Sequence, residues 1–175
     1  MGRLDQYERV QVESRAEWRA WLAANHGRTE SIWLVTFKKG SGRGTVPYDD
    51  VVEEALAFGW VDSLPRSLDE QRTMLLLSPR RSGSNWSRIN KERVARLLAA
   101  GLMHPAGLAK VEAAKADGTW TALDEVETLA IPADLAQALA AAPPAAERFA
   151  AFSSSSRRGI LEWLSNARTQ ATRQK

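Results

Sequence analysis

Ser31–Lys38 leaves this chain the fewest choices. It reads Ser-Ile-Trp-Leu-Val-Thr-Phe-Lys, a run of β-branched and aromatic residues that fits a pleated, packed surface. On a strand, Trp33, Val35 and Phe37 share one face while Ile32 and Leu34 make the other face apolar too. A strand apolar on both sides needs cover on both sides, which puts it in the middle of a sheet. The chain has 175 residues, room for one domain, or one domain with a small appendage, and a real core. Its 44% hydrophobic content and seven tryptophans argue for a globular fold rather than disorder.

The flanking segments supply the layers. Arg15–Asn25 has helical periodicity, with Trp18, Trp21 and Leu22 on one face, Ser14 as N-cap and Asn25-His26-Gly27 as stop. After a glycine-rich loop at 39–45, a helix is expected from about Tyr48 to Phe58. It turns Val51, Val52, Ala55 and Leu56 inward and Asp49, Asp50, Glu53 and Glu54 outward, and Gly59 ends it. Trp60–Ser67 and Arg72–Ser78 read as a hairpin around Asp69-Glu70. Helices follow from Asn85 to about Ala100 and from Pro105 to Ala116, then a connector of undetermined structure over Thr119–Ala130. An alanine-rich tail carries helices at Ala133–Ala141, Ala145–Phe152 and Ser156–Ala167. The expected fold class is α+β: a small mixed or antiparallel sheet flanked by helices, with a C-terminal helical unit. Residues 12–120 are expected to form the core domain, and 131–168 a helical segment packed on it or linked to it.

Composition narrows the chemistry. With no cysteine there is no disulfide, no thiol catalysis and no cysteine metal site. His26 and His104 lie in separate loops without a carboxylate at metal-ligand spacing, so no metal is expected. The first residues lack the apolar core of a signal peptide, and no stretch nears the roughly 18 uninterrupted apolar residues of a membrane span. The expectation is a cytoplasmic protein with no membrane partner. The net charge of +3 and pI near 9.5 are basic, yet less so than in a dedicated DNA-binding protein.

The densest chemistry lies between Phe58 and Val94. The helix entrance from Pro79 to Asn90 offers the fork-shaped donors of Arg80 and Arg81, hydrogen bonds from Ser84, Ser87 and Asn90, and the flat indole of Trp86. Such a set at a helix start suits an anion. Capping by Ser84, core packing by Trp86 and solvated arginines account for the same residues. The corner Trp60, Asp62, Ser63 is a second candidate. There Asp62 either pairs with Arg80 or orients a ligand, or else makes a structural ion pair with Arg66 or Arg72. Lys38 and Lys39 extend a positive surface beside the glycine loop, which lacks the ending of a phosphate-binding P-loop. Tyr48 or Asp62 would be the acid or base of an uncharacterised metal-independent enzyme, but catalytic residues are unknown and no Gly-x-Ser-x-Gly elbow is present.

Several of these residues carry a family resemblance. They include Trp33-Leu34-Val35, Lys38-Lys39-Gly40, Tyr48-Asp49, the run from Glu54 to Ser63, Ser78-Pro79-Arg80-Arg81 and Ser84-Asn85-Trp86-Ser87. Asn90 to Val94, Gly101-Leu102-Met103, Ala106-Gly107, Ser155 to Arg158, Leu161, Trp163-Leu164 and Ala167 continue it. Together they resemble the YdeI/OmpD-associated family, also labelled bacteriocin-protection proteins, over nearly the whole chain after about Val12. The resemblance implies protection against bacteriocins or antimicrobial stress and brings no settled reaction or catalytic residue. Direct contact with a porin, the association in the family's name, is not expected, because a chain without an export signal should not meet an outer-membrane protein. The resulting expectation is a cofactor-free, stress-associated protein that holds an anionic small molecule or phosphate group, with Trp60 and Trp86 as walls. Nucleic-acid binding through Arg80, Arg81, Arg88, Lys91 and Arg93 is the second reading, and an enzyme the third.

Overall fold

A computed structural model describes residues 4–167 and 169–174. Arg168 and Lys175, at the ends of the basic tail, lie outside the described residues. The chain forms two compact units: residues 1–84 with 89–117, and residues 85–88 with 118–175. The fold is α+β.

In the first unit the doubly apolar segment forms strand β2 (Ile32–Phe37), an interior strand of a four-stranded sheet. Its neighbours are β1 (Arg9–Gln11), which runs parallel to it, and β4 (Arg72–Pro79), which runs antiparallel; β3 (Trp60–Ser67) pairs with β4 at the far edge. Register sets Trp33 opposite Leu76 and Val35 opposite Met74. These four residues form one buried cluster, with Leu4, Tyr7 and Leu68 packed against it. Ile32, Leu34 and Thr36, on the opposite face, are also buried, so both faces are covered. The hairpin joins β3 to β4 as its spacing predicted, with a register shift between Asp62 and Pro65. Strand β1 lies ahead of the expected domain start at Val12, and it makes the sheet mixed.

Helix α1 (Arg15–Asn25) docks on α2 (Tyr48–Ala57). Ser14 caps α1 by accepting from the Glu17 N–H at 3.2 Å. The Trp18 indole N–H donates to the Val51 carbonyl at 3.0 Å. Glu54 corrects an expectation, for it does not face solvent: it is 2% exposed. Arg15 Nε and Arg19 Nη1 each donate to its carboxylate at 2.7 Å. A carboxylate is tolerated inside when guanidinium donors satisfy it. Helix α3 (Arg88–Ala99) buries Val94 and Leu97 and starts three residues later than predicted. Helix α4 (Pro105–Asp117) buries Gly107, Val111 and Ala114.

The second unit is helical: α5 (Asp124–Glu127), α6 (Ala133–Ala140), α7 (Pro143–Ala151), α8 (Ser154–Ser165) and α9 (Gln170–Arg173). Leu123, Val126 and Leu161 are its buried centre, with Leu129 and Leu135 against them. Ser153 caps α8 by accepting from the Ser156 N–H at 3.1 Å. Trp86 is buried and tilted against Trp120, with ring centroids 5.0 Å apart. Among the described residues no helix is long and apolar enough to cross a membrane.

Candidate anion-binding cleft

Four distant segments of the first unit meet around a cleft of about 390 Å³. The first follows α1. His26 ends that helix, its N–H donating to the Leu22 carbonyl at 2.8 Å, and the chain runs through Gly27, Arg28 and Thr29 to Ser31. The buried indole of Trp60 holds this loop, its N–H reaching the His26 carbonyl at 3.3 Å. The second segment is the corner Phe58-Gly59 at the end of α2. Gly59 adopts φ +80°, a left-handed conformation that costs a glycine little. The third is the end of β4, Ser78 to Arg81, pinned to the corner by a 2.9 Å bond from the Arg80 N–H to the Gly59 carbonyl. Ser78 and Ser31 hydroxyls lie 2.7 Å apart and join the first and third segments.

Helix α4 supplies the fourth wall through Ala106 and Lys110, which lie one turn apart on one face. Its position is set by close backbone approach. The His104 N–H donates to the Ala57 carbonyl at 3.0 Å. A Cβ on Gly59 would meet Lys110 Cγ at 2.9 Å and the Ala106 carbonyl oxygen at 3.1 Å.

The electrostatics are one-sided. Arg28, Arg80, Arg81 and Lys110 line the cleft, and none of its described lining residues is acidic. Glu8 pairs with Arg28 at 2.7 Å. Neither Arg81 nor Lys110 makes an ion pair among the described residues. Arg80 is 4% exposed. Burial lowers its pKa to about 10, opposed by the charge of Asp62, so the guanidinium stays protonated at neutral pH. A cation stripped of water gains more from a nearby anion than a solvated one does. The rings of His26 and His104 are 4.6 Å apart, and Phe58 stacks on His104 at the same distance.

With that geometry in place, two family models bear on the chain. Residues 10–110 match the model described as Domain of unknown function (DUF8412). Residues 128–175 match the one described as Bacteriocin-protection, YdeI or OmpD-Associated. The chain belongs to the DUF8412 family, and its tail is similar to the YdeI/OmpD-associated family. No curated protein and no solved structure matches it. The block from Phe58 to Val94 thus falls within the DUF8412 match, and the YdeI/OmpD-associated match falls on the tail.

The residues singled out in the sequence all fall within the DUF8412 match. Arg80 and Arg81 line the cleft. Trp60 is wholly buried and does not line the cleft; its indole N–H holds the loop after α1 at His26. Asp62 accepts a 2.6 Å hydrogen bond from the Tyr48 hydroxyl. It pairs with neither Arg66, which bonds Asp5, nor Arg72, which bonds Asp69. The Ser63 hydroxyl donates to the Leu76 carbonyl at 3.3 Å and the Ser84 hydroxyl to the Arg81 carbonyl at 2.8 Å. Asn90 accepts from Arg93 at 3.0 Å. Lys38 is latched to the hairpin turn, donating to Ser67 Oγ at 3.0 Å and the Asp69 carbonyl at 2.8 Å, and Lys39 is exposed. Trp86 and Ser87 belong to the second unit. Sequence reading missed Arg28, Thr29, Ser31 and Lys110. They sit tens of residues from Arg80, and no local spacing signals their convergence.

Proposed function

We propose that the chain is a binding protein whose DUF8412 domain holds an anionic small molecule in the cleft between the α1–β2 loop, the end of β4 and α4. The observation that carries this reading is the lining itself: Arg28, Arg80, Arg81 and Lys110 with no acidic residue among the described lining. Arg81 and Lys110 face the cleft without an ion pair among the described residues, and an anion placed there would relieve the cost of apposing like charges. Thr29, Ser31 and Ser78 add neutral hydrogen-bonding groups that suit oxyanions. The volume falls within the roughly 300–1,000 Å³ of small-molecule sites. A stress-associated setting is part of the proposal and rests on the bacteriocin-protection description of the model that the tail matches; a cytoplasmic location is proposed with it. The nucleic-acid reading has less support, because Arg80 is buried and Arg93 is bonded to both Asp49 and Asn90.

Isothermal titration with sodium phosphate, sodium pyrophosphate and sodium citrate, on wild type and an Arg81→Ala/Lys110→Ala variant, tests the proposal. Saturable binding of at least one anion by wild type, weakened in the variant, is expected. No saturable binding of any of them, or equal binding by both proteins, would overturn it.

A further inference from the structure

The arrangement of cations in the cleft also bears on how many charges the ligand carries. Resting on the anion-binding reading above, we infer that the ligand is a compact polyanion bearing two or more charged groups and no flat ring that the protein reads. The four cations arrive on three separate backbone segments: Arg28 on the α1–β2 loop, Arg80 and Arg81 at the end of β4, and Lys110 on α4. One tetrahedral oxyanion engages donors only within hydrogen-bond reach of its own oxygens, about 3 Å. A cleft of about 390 Å³ is far larger than one such group. Arg28 is already held by Glu8, so the cations that make no ion pair among the described residues are Arg81 at the end of β4 and Lys110 on α4; filling the cleft while answering both walls takes linked anionic groups, as in a pyrophosphate or a polycarboxylate.

The walls also say what is not read. Phe58 and Trp60 are buried and spent on packing: Phe58 stacks on His104, and Trp60 bonds the His26 carbonyl. Recognition of a nucleobase draws on an accessible aromatic face. Among the described lining residues the one aromatic ring besides Phe58 is that of His26, which is turned against His104 at 4.6 Å. The chemistry offered is charge and hydroxyl groups, and a polyanion of phosphate or carboxylate type uses both.

Titration calorimetry at fixed ionic strength with sodium pyrophosphate, sodium citrate, sodium phosphate and AMP separates the outcomes. Pyrophosphate or citrate is expected to bind at least about tenfold more tightly than phosphate or AMP, a difference of about 1.4 kcal/mol. The tighter of the two assigns the groups as phosphate or carboxylate. Arg81→Ala and Lys110→Ala, on different segments, are each expected to narrow that gap. Phosphate binding as tightly as pyrophosphate and citrate would overturn the polyanion inference and leave anion binding standing. AMP binding more tightly than both polyanions would overturn it by showing that the base is read. Absence of binding by all four anions would remove both readings.

Discussion

Gly107 lies against Ala57 where α4 crosses α2: a Cβ built on Gly107 would stand 2.2 Å from the Ala57 carbonyl oxygen. That oxygen already accepts from the His104 N–H at 3.0 Å. No side chain larger than hydrogen fits there without moving α4. The depth of this crossing therefore fixes where Ala106 and Lys110, which flank Gly107 on the helix, meet the cleft.

Gly107→Ala should consequently lower stability by about 1–3 kcal/mol, the usual cost of overpacking a tight contact. The helix gains propensity from alanine, but only about 1 kcal/mol of it. Urea denaturation measures the net effect. A variant as stable as wild type would show that the crossing is looser than the geometry states.

Glu54 offers a second test. Its buried carboxylate holds Arg15 and Arg19, and removing those donors would strand a charge. Arg15→Ala/Arg19→Ala should cost about 3–5 kcal/mol, as expected when a buried carboxylate loses its partners. Glu54→Gln should cost less, because both arginines are about one-third exposed and can turn to water. Denaturation that ranks the two variants in the opposite order would contradict the account.

Tyr48 should titrate late. Partial burial and the hydrogen bond it donates to Asp62 push its pKa up to about 12. The residue is 55% exposed, so the 2.6 Å bond to Asp62 is the contribution with a definite geometric basis. The shift favours the protonated phenol in the folded state. Its stabilising contribution is therefore present below the ordinary value of 10.0 and lost as pH rises through about 12. Ultraviolet absorbance titration in a Tyr7→Phe background isolates this group, and Asp62→Asn should move its midpoint down. An unchanged midpoint would show that the carboxylate does not hold the phenol.

His104 gives the opposite pH dependence. Desolvation, with the charges of His26 and Arg19 nearby, lowers its pKa below the ordinary 6.5. The unfolded chain then binds the proton first. The stabilising contribution is whole above pH 6.5 and is lost as pH falls through the lower folded value. His104 Nδ1 accepts from the Ala106 N–H at 3.2 Å, and asparagine supplies a similar acceptor. His104→Asn should thus keep the start of α4 while flattening the melting-temperature profile on acidification from neutrality. An identical profile in both proteins would contradict the assignment.

Much of the architecture was legible because it rests on local pattern. The two apolar faces of Ser31–Lys38 placed β2 inside the sheet, and Gly59 and the Asp69-Glu70 turn set the ends of β3 and β4. Strand β1 was not legible. It is three residues long, and its pairing with Trp33 to Val35 comes from tertiary contact. Glu54 was misjudged for a related reason, because polarity at a helix position does not announce two arginines from another helix. The site was half visible: Arg80 and Arg81 stood out as adjacent forks, whereas Arg28 and Lys110 enter only when the loop after α1 and the first turns of α4 close on them.

The most direct test of the central claim is a titration of the full chain with sodium pyrophosphate and, separately, sodium citrate at fixed ionic strength, followed by backbone amide chemical shifts. Saturable shifts concentrated at residues 26–31, 78–81 and 106–110 are expected with at least one of the two. Shifts that fail to saturate with both, or that centre on α3 or the C-terminal helices, would contradict the claim.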